Sequence, residues 1–514
     1  MDRRVVVPLA ILLTSCVWTF QSLEVAPLDR HAGDSVVVIS PVKAHLADGS
    51  TVVFPNGVDV VRDTLIGDGM RYSLTLRDSA AVQTLALDSV TGVEVFRTRV
   101  DVGMSVVVTV LATGAAAAAT VGAAIAIFGS CPTYYVDSAG TYLLEGEGFS
   151  YSIAPLFEAR DVDRLRIHTA PDGTVRLEVR NEALETHYVN HLELLEVEHA
   201  ASETVVGDEA NRLLIVHDLA APTRAVDRTG RDVRRDVAAA DGEPYRSDPG
   251  VIAGARLDDL EDWIDVALPA PMAAESVAIV FRLRNSLLNT ILLYDIMLGD
   301  PGARSLDWVG RDLQQVGPAV ELAQWYQHRM GLDVTVAAGN GGGYRFITHI
   351  KDTGPIAWKD VSVVVPVLER GRVRVRLRFP ADNWRIDRIA VAGRFRRAVP
   401  LIHPLSEVRD ADGKADRAAL ASLVAADPHY LETTAGQRFT AGFAVPSTAA
   451  AGRTFFLASQ GYYSEWVRRD WLTAPRVSSS FVPSDAALLE AIGRWRATQE
   501  TLEARFMASR IPVR

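Results

Sequence analysis

The sequence predicts a mainly β protein: a small SH3- or Sm-like barrel, an apolar Gly/Ala-rich helix, and a β-sandwich body with an intervening helix and a C-terminal helix. Three observations carry this expectation. Residues 35–98 break into short β-prone runs separated by tight turns. Strict polar–apolar alternation recurs in Thr174–Arg180 and in Arg372–Phe379, as in strands with one buried face. Beyond residue 130, the long stretches with apolar residues at helical spacing are Asp307–Met330 and the run that opens at Ser484.

The barrel elements follow in order. Ser35–Ser40 is a valine-rich run, and His45–Ala47, Asp48-Gly49 and Thr51–Phe54 read as a hairpin around a two-residue turn. Arg71–Leu76, Val82–Leu87 and Val93–Phe96 continue the series. Barrels this small usually bind partners and seldom catalyse. The stretch from Gly103 to Phe128 then contains no charged residue and is long enough to span a bilayer. Gly114, Ala118, Gly122 and Ala126 fall four apart in it, a stripe that lets helices approach closely. Arg97 and Arg99 before it, and Asp137, Glu145 and Glu147 after it, oppose the orientation a single span would need. The expectation is therefore a helix or helical hairpin that packs on lipid or against copies of itself.

Beyond residue 130 the chain is strand-rich. His187–Val197 and Val277–Leu283 read as strands, and Val361–Leu368 as a fully buried one. Antiparallel sandwich packing is the economical solution for them. Trp308, Leu313, Val316, Val320, Leu322, Trp325 and Tyr326 predict a helix dividing this region. Asp410–Ala426 reads as a loop and a short helix. The last helix, N-capped by Ser484, carries Leu488, Ile492, Trp495, Leu502 and Phe506 on one face, which predicts docking on the β body. The expected organisation is a signal peptide at 1–15, a tether at 16–34, the barrel at 35–102, the apolar helix at 103–129, a sandwich domain at 130–300, a helix with a second β region at 301–400, and a β/helical C-terminal region at 401–514.

The N-terminus supplies an address. Met1-Asp2-Arg3-Arg4 precedes an apolar run from Val5 to Leu13, the pattern of a signal peptide. Leu13-Thr14-Ser15-Cys16 resembles the lipobox of bacterial lipoproteins, which implies lipidation at Cys16 and a membrane anchor. Val17 stands where an aspartate would favour the inner membrane, so the resemblance implies the outer membrane. With Cys16 modified, Cys131 is the remaining thiol and no intramolecular disulfide forms. A second resemblance covers most of residues 131–472. Cys131-Pro132-Thr133-Tyr134-Tyr135 with Gly140, Tyr142 and Glu145, then Asn181-Glu182 and Glu185–Val189, Ala221-Pro222 with Asp227, Gly230 and Asp232-Val233, Trp384–Asp387 and Gly461–Trp466 resemble a β-rich domain of uncharacterised bacterial envelope lipoproteins. That resemblance implies fold and location and brings no established activity.

Chemistry is sparse. A net charge of -11 argues against nucleic-acid binding, which needs a basic face. No CxxC, HExxH or G-x-S-x-G occurs. His187 and His191 lie on a predicted strand, too far apart to chelate one ion. Asp410-Ala411-Asp412-Gly413 lacks the remaining EF-hand ligands, with Val408 and Ala419 at the required places, and reads as an acidic turn capping the next helix. Ser40-Pro41-Val42-Lys43 reads as a strand end, and Gly339–Gly343 as a turn. No catalytic residue, metal or cofactor is expected.

Two features could bind a ligand. Arg372, Arg374, Arg376 and Arg378 share one strand face and could meet anionic lipid headgroups or acidic glycan, or pair with acidic neighbours as a solvated surface. Tyr462, Tyr463 and Trp466, with Arg468, Arg469 and Trp471 close by, could form a platform for sugars or peptides, or pack in the core. The expectation is a lipid-anchored envelope binding or scaffold protein without catalytic activity, whose partners are the membrane and an anionic lipid, a glycan, an envelope protein or further copies of itself. The alternative is a secreted, glycosidase-like hydrolase whose two carboxylates, about 5–10 Å apart, meet only in the fold.

Overall fold

Alternating segments become strands whose apolar sides turn inward, and among the described residues strand outweighs helix by 48% to 19%. The computed structural model describes residues 35–73, 78–96, 131–138, 140–167, 170, 173–253, 260–339, 343–446, 451–473, 484–508 and 510–513. Cys16 and the stripe of Gly114, Ala118, Gly122 and Ala126 lie outside the described residues, as does the whole 103–128 segment. Among the described residues, no helix is long and apolar enough to cross a membrane.

The sandwich forms from two sheets. One has five strands, in the order Arg224–Asp227, Glu261–Pro269, Arg372–Pro380, Leu332–Ala337, Tyr344–Ile350. The other has six, in the order Trp384–Ala392, Ser276–Asn285, Lys359–Pro366, Glu203–Asp208, Leu213–His217, Arg394–Arg397, with one parallel pair at Gly207 and Val361. Val373, Val375, Leu377 and Phe379 of the first sheet pack on Ile279, Phe281, Val363 and Ile389 of the second. The arginines that alternate with them therefore face outward, as a period of two requires.

A nine-stranded sheet flanks this sandwich, built around the paired long strands Glu185–His199 and Gly452–Glu465. Its curled face encloses Val175, Leu177, Val179, Phe439 and Phe443, with Leu423 of the Arg417–Leu423 helix against them. Asp416 caps that helix by accepting a hydrogen bond from Ala419 N at 2.9 Å, and Asp410 Oδ1 closes the preceding turn on Lys414 N at 2.9 Å. This is the solvated acidic turn the sequence predicts.

The seven-stranded N-terminal sheet curls toward a barrel, ordered Ser35–Val38, Val58–Val61, Thr64–Tyr72, Thr51–Phe54, Val42–Leu46, Val90–Val95, with Ser79–Ala86 on Thr64–Tyr72. Its apolar interior continues into the helices: Val42, Phe54 and Leu65 belong to the same buried cluster as Leu292, Trp308, Ile492 and Trp495. The described residues form one compact unit.

The intervening helix differs from expectation. Asp307–Met330 is not one helix but the end of Arg304–Gly310, a 3-10 turn at Asp312–Gln314, and Val316–Arg329. The backbone leaves the helical region at Arg311 and at Gln315. Pro318 lacks the N–H an interior helical position must donate, so it sits in the first turn of a new helix. Asp307 ties the preceding helix to the barrel, because its Oδ1 accepts from Ser40 N at 2.9 Å and from Ser40 Oγ at 2.8 Å. Helix also begins earlier than predicted, at Leu288, and runs through wide π-type turns at Ile291–Gly299. That stretch is buried almost all round, so it shows no amphipathic period to read. The C-terminal Asp485–Ala508 helix docks as expected, with Trp495 Nε1 donating to Asp382 Oδ2 at 2.6 Å.

Candidate ligand-binding face

The Arg372–Pro380 strand lies at the centre of the five-stranded sheet, between Glu261–Pro269 and Leu332–Ala337. Register sets Trp263 opposite Arg378, Asp265 opposite Arg376 and Ala267 opposite Arg374. Arg376 makes two hydrogen bonds to Asp265, Nε to Oδ1 at 2.7 Å and Nη2 to Oδ2 at 2.8 Å. Its guanidinium also lies 4.0 Å from the centre of the Trp263 ring and 4.4 Å from that of Tyr344. Tyr344 Oη donates to Asp265 Oδ1 at 2.8 Å. Each cation–π contact of this kind is worth about 0.5–2 kcal/mol, and together they hold both rings in fixed orientations.

The rest of the ladder is laced with carboxylates. Arg378 pairs with Glu261, and Arg372 with Glu369. Hydrogen bonds from Arg372 hold the Glu369 carboxyl below its usual range. Arg374 Nε lies 3.4 Å from Glu369 Oε2, an ion pair without a hydrogen bond. Beside Arg374 a cavity of about 250 Å³ opens on this outer face, lined by Arg224, Arg228, Trp263, Asp265, Tyr344 and Arg374 among others. Asp227 lines it too; its side chain is buried and bound to Arg231 at 3.0 Å. The Arg228 guanidinium donates to the Glu261 carbonyl. Arg224 is exposed, and its guanidinium makes no hydrogen bond or ion pair with the described residues. Positive charge is thus least compensated at the cavity.

The aromatic cluster divides. Consecutive strand residues point to opposite faces, so Tyr462 turns away from Tyr463, which is buried together with Trp466. Tyr462 stacks on Tyr188, its partner on the adjacent strand, with centroids 4.6 Å apart. Tyr430 meets both rings edge-on and donates to Glu158 Oε2 at 2.7 Å. Asn190 and Gln460 donate to the other oxygen of Glu158. These rings pack against one another, and Trp466 stacks on His45.

Among the described residues no group of three or more His, Cys, Asp or Glu side chains could hold a metal ion. His187 is buried with Nε2 2.6 Å from Glu185 Oε1, and a β-bulge separates it from His191. The carboxyls pushed furthest up lie inside the protein: burial raises Glu147 and Glu465 to about 8, and raises Glu185 strongly. Sequence reasoning missed Trp263, Tyr344 and Arg224, which only strand register brings beside Arg374. The alternation of Trp263, Asp265 and Ala267 was the one local sign of an outward face.

No protein-family model and no curated protein matches the chain. Solved structures with some likeness include TmCBM61 in complex with beta-1,4-galactotriose, at 10% identity and TM-score 0.14, over 38% of this chain and 86% of that one. Another is the GH31 alpha-xylosidase from Xanthomonas citri, at 11% identity and TM-score 0.14, over 84% of this chain and 38% of that one. A third is an exo-beta-1,3-galactanase from Phanerochaete chrysosporium with beta-1,3-galactotriose, at 8% identity and TM-score 0.14, over 70% of this chain and 82% of that one. At scores this low the likenesses carry no argument about this chain.

Proposed function

We propose that the chain is a lipid-anchored envelope protein, of the kind the β-rich bacterial lipoproteins exemplify, and that it binds an anionic ligand on the arginine face. The address rests on the Cys16 motif, and the outer membrane is its proposed location. The observation that carries the binding is the cavity lined by Arg224, Arg374 and Trp263, with the two arginines on either side of Ala267. Around it the arginine ladder neutralises itself, so the cavity is where an incoming anion finds cations to pair with.

Binding is favoured over hydrolysis by the state of the carboxylates. Asp227 and Asp265, which line the cavity, are each tied to an arginine. A glycosidase-type acid needs a carboxyl held protonated in apolar surroundings. The raised carboxyls of Glu147, Glu185 and Glu465 are enclosed in the core, away from any polymer.

The test is native electrophoresis of the full chain, in detergent, through gels carrying polygalacturonate, polyglutamate or neutral dextran, beside flotation with anionic vesicles. Retention by an anionic probe, weakening as salt rises and lost on Arg224→Glu with Arg374→Glu, is the expected result. No retention by any anionic probe overturns the binding. Fatty-acid labelling with globomycin and a Cys16→Ala control tests the address separately.

A further inference from the structure

The geometry points to an acidic saccharide as the ligand of this cavity, its carboxylate held by Arg224 and Arg374 and a sugar ring laid on Trp263; this rests on reading the arginine face as a binding surface. Size is the first reason. At about 250 Å³, the cavity falls just below the range of pockets for drug-sized ligands, roughly 300–1,000 Å³. It matches a sugar unit or two better than a folded partner.

Shape and charge are the second. A lipid headgroup layer is a plane, and on this sheet it would meet the exposed Arg372 and Arg378 of the ladder as readily as the cavity. Both are already paired, with Glu369 and Glu261. The less compensated cations, Arg224 and Arg374, stand around a concavity.

The aromatic rings are the third. An inorganic anion or an acidic peptide would engage the arginines and leave Trp263 and Tyr344 only their packing on Arg376. A pyranose has an apolar C–H face, suited to an indole or phenol, and a rim of hydroxyls. Asp265 offers acceptors and Arg228 donors along the same wall. Because Arg376 and Asp265 already fix both rings, little ordering cost is left for the ligand to meet.

Calorimetry on the full chain tests this, using trigalacturonate, neutral maltotriose and triglutamate. Trigalacturonate should bind, maltotriose about tenfold more weakly or not at all, and triglutamate more weakly than trigalacturonate. Arg224→Gln should weaken trigalacturonate about tenfold, roughly 1.4 kcal/mol, with Tm unchanged because the side chain is exposed. Trp263→Leu should weaken trigalacturonate more than triglutamate, and circular dichroism checks that this variant folds. Triglutamate binding as well as trigalacturonate, or trigalacturonate binding that neither variant changes, overturns the saccharide. If polyglutamate or anionic vesicles alone bind, and Arg224→Gln weakens them, the saccharide fails and the binding face stands. If no anionic probe binds, both fail.

Discussion

His45 lies flat against Trp466, with ring centroids 3.9 Å apart and planes within 5° of parallel, and the stack joins the N-terminal barrel to the β body. Trp466 Nε1 donates to Thr186 Oγ1 at 2.9 Å, and Thr186 Oγ1 donates to Glu94 Oε2 at 2.6 Å. Lys43 and His45 approach the other oxygen of Glu94, at 3.5 and 3.1 Å. Burial opposes the charge on Glu94, yet Lys43 and the hydrogen bonds from His45 and Thr186 bring its pKa down to about 2. Val93 and Val467 exchange backbone hydrogen bonds at 2.8 Å across the same seam.

Trp466→Ala should therefore loosen barrel and body together. It empties a fully buried indole site and removes the donor to Thr186 Oγ1, for a loss of about 3–5 kcal/mol. Urea denaturation followed by both fluorescence and circular dichroism checks this. A barrel that unfolds alone, leaving the body's transition in place, would contradict the shared core.

Stability should peak in mild acid. Glu465, opposite Glu185 on the neighbouring strand, is raised by burial from 4.5 to about 8 although Arg468 bonds it at 2.6 Å. His187, Cys131, Tyr294 and Tyr463 complete the surroundings of the pair. Burial likewise raises Glu147 from 4.5 to about 8 and Asp352 from 3.8 to about 6. Between each pair of values the folded state holds more protons than the unfolded state. Stability then falls with rising pH, by about 1.4 kcal/mol per unit for each group, and levels off above the folded value. Glu94 has the opposite sign, and its contribution disappears as pH drops from 4.5 through about 2. Urea midpoints should decline from about pH 5 to about pH 8, less steeply in Glu465→Gln; a rise over that range would refute the assignment.

Glu369→Gln should tighten anion binding. Glu369 is the carboxylate that Arg372 and Arg374 share, so its neutralisation frees Arg374 for the ligand and leaves the positive charge of Arg372 uncompensated nearby. An increase of about three- to tenfold at low salt is expected, shrinking as salt is raised. The folding free energy should stay within about 0.5 kcal/mol, as for other surface changes. Weaker binding would place the ligand elsewhere.

Gly461→Ala tests the seam between the two longest strands. A Cβ there would stand 2.4 Å from the Tyr188 carbonyl oxygen and 2.9 Å from the Phe149 ring. Backbone cannot yield as a flexible side chain does, so a loss of about 1–3 kcal/mol is expected. The Tyr188–Tyr462 stack should be disturbed too, visible as changed tyrosine ring signals in NMR spectra. An unchanged midpoint would mean the strands separate more easily than their register implies.

Much of the architecture was legible because its signals are local. Strict alternation in Arg372–Phe379 placed Val373, Val375, Leu377 and Phe379 inside and the four arginines outside, as found. Helical spacing after Ser484 located the C-terminal helix and its buried face. A period of two also separates Tyr462 from Tyr463, so these neighbours could never have shared one platform. Ile291–Gly299, apolar but for Asp295 and buried almost all round, offered no clear period, and so its helix had no local signature.

What the sequence determined by itself was which side of a strictly alternating strand faces the core, as in Thr174–Arg180 and Arg372–Phe379, since pleat and period belong to the backbone. Only the tertiary structure decided what the outward residues meet. Arg376 could have been a free cation or a paired one; the register that sets Asp265 opposite it, and Trp263 and Tyr344 on either side, made it a brace. Arg224, Trp263, Tyr344 and Arg374 come from four strands separated by long stretches of chain, and their meeting depends on pairings between strands that no local pattern encodes. The reason is physical: alternation costs and yields energy within a few residues, whereas partner choice is settled by burying whole sheets against one another.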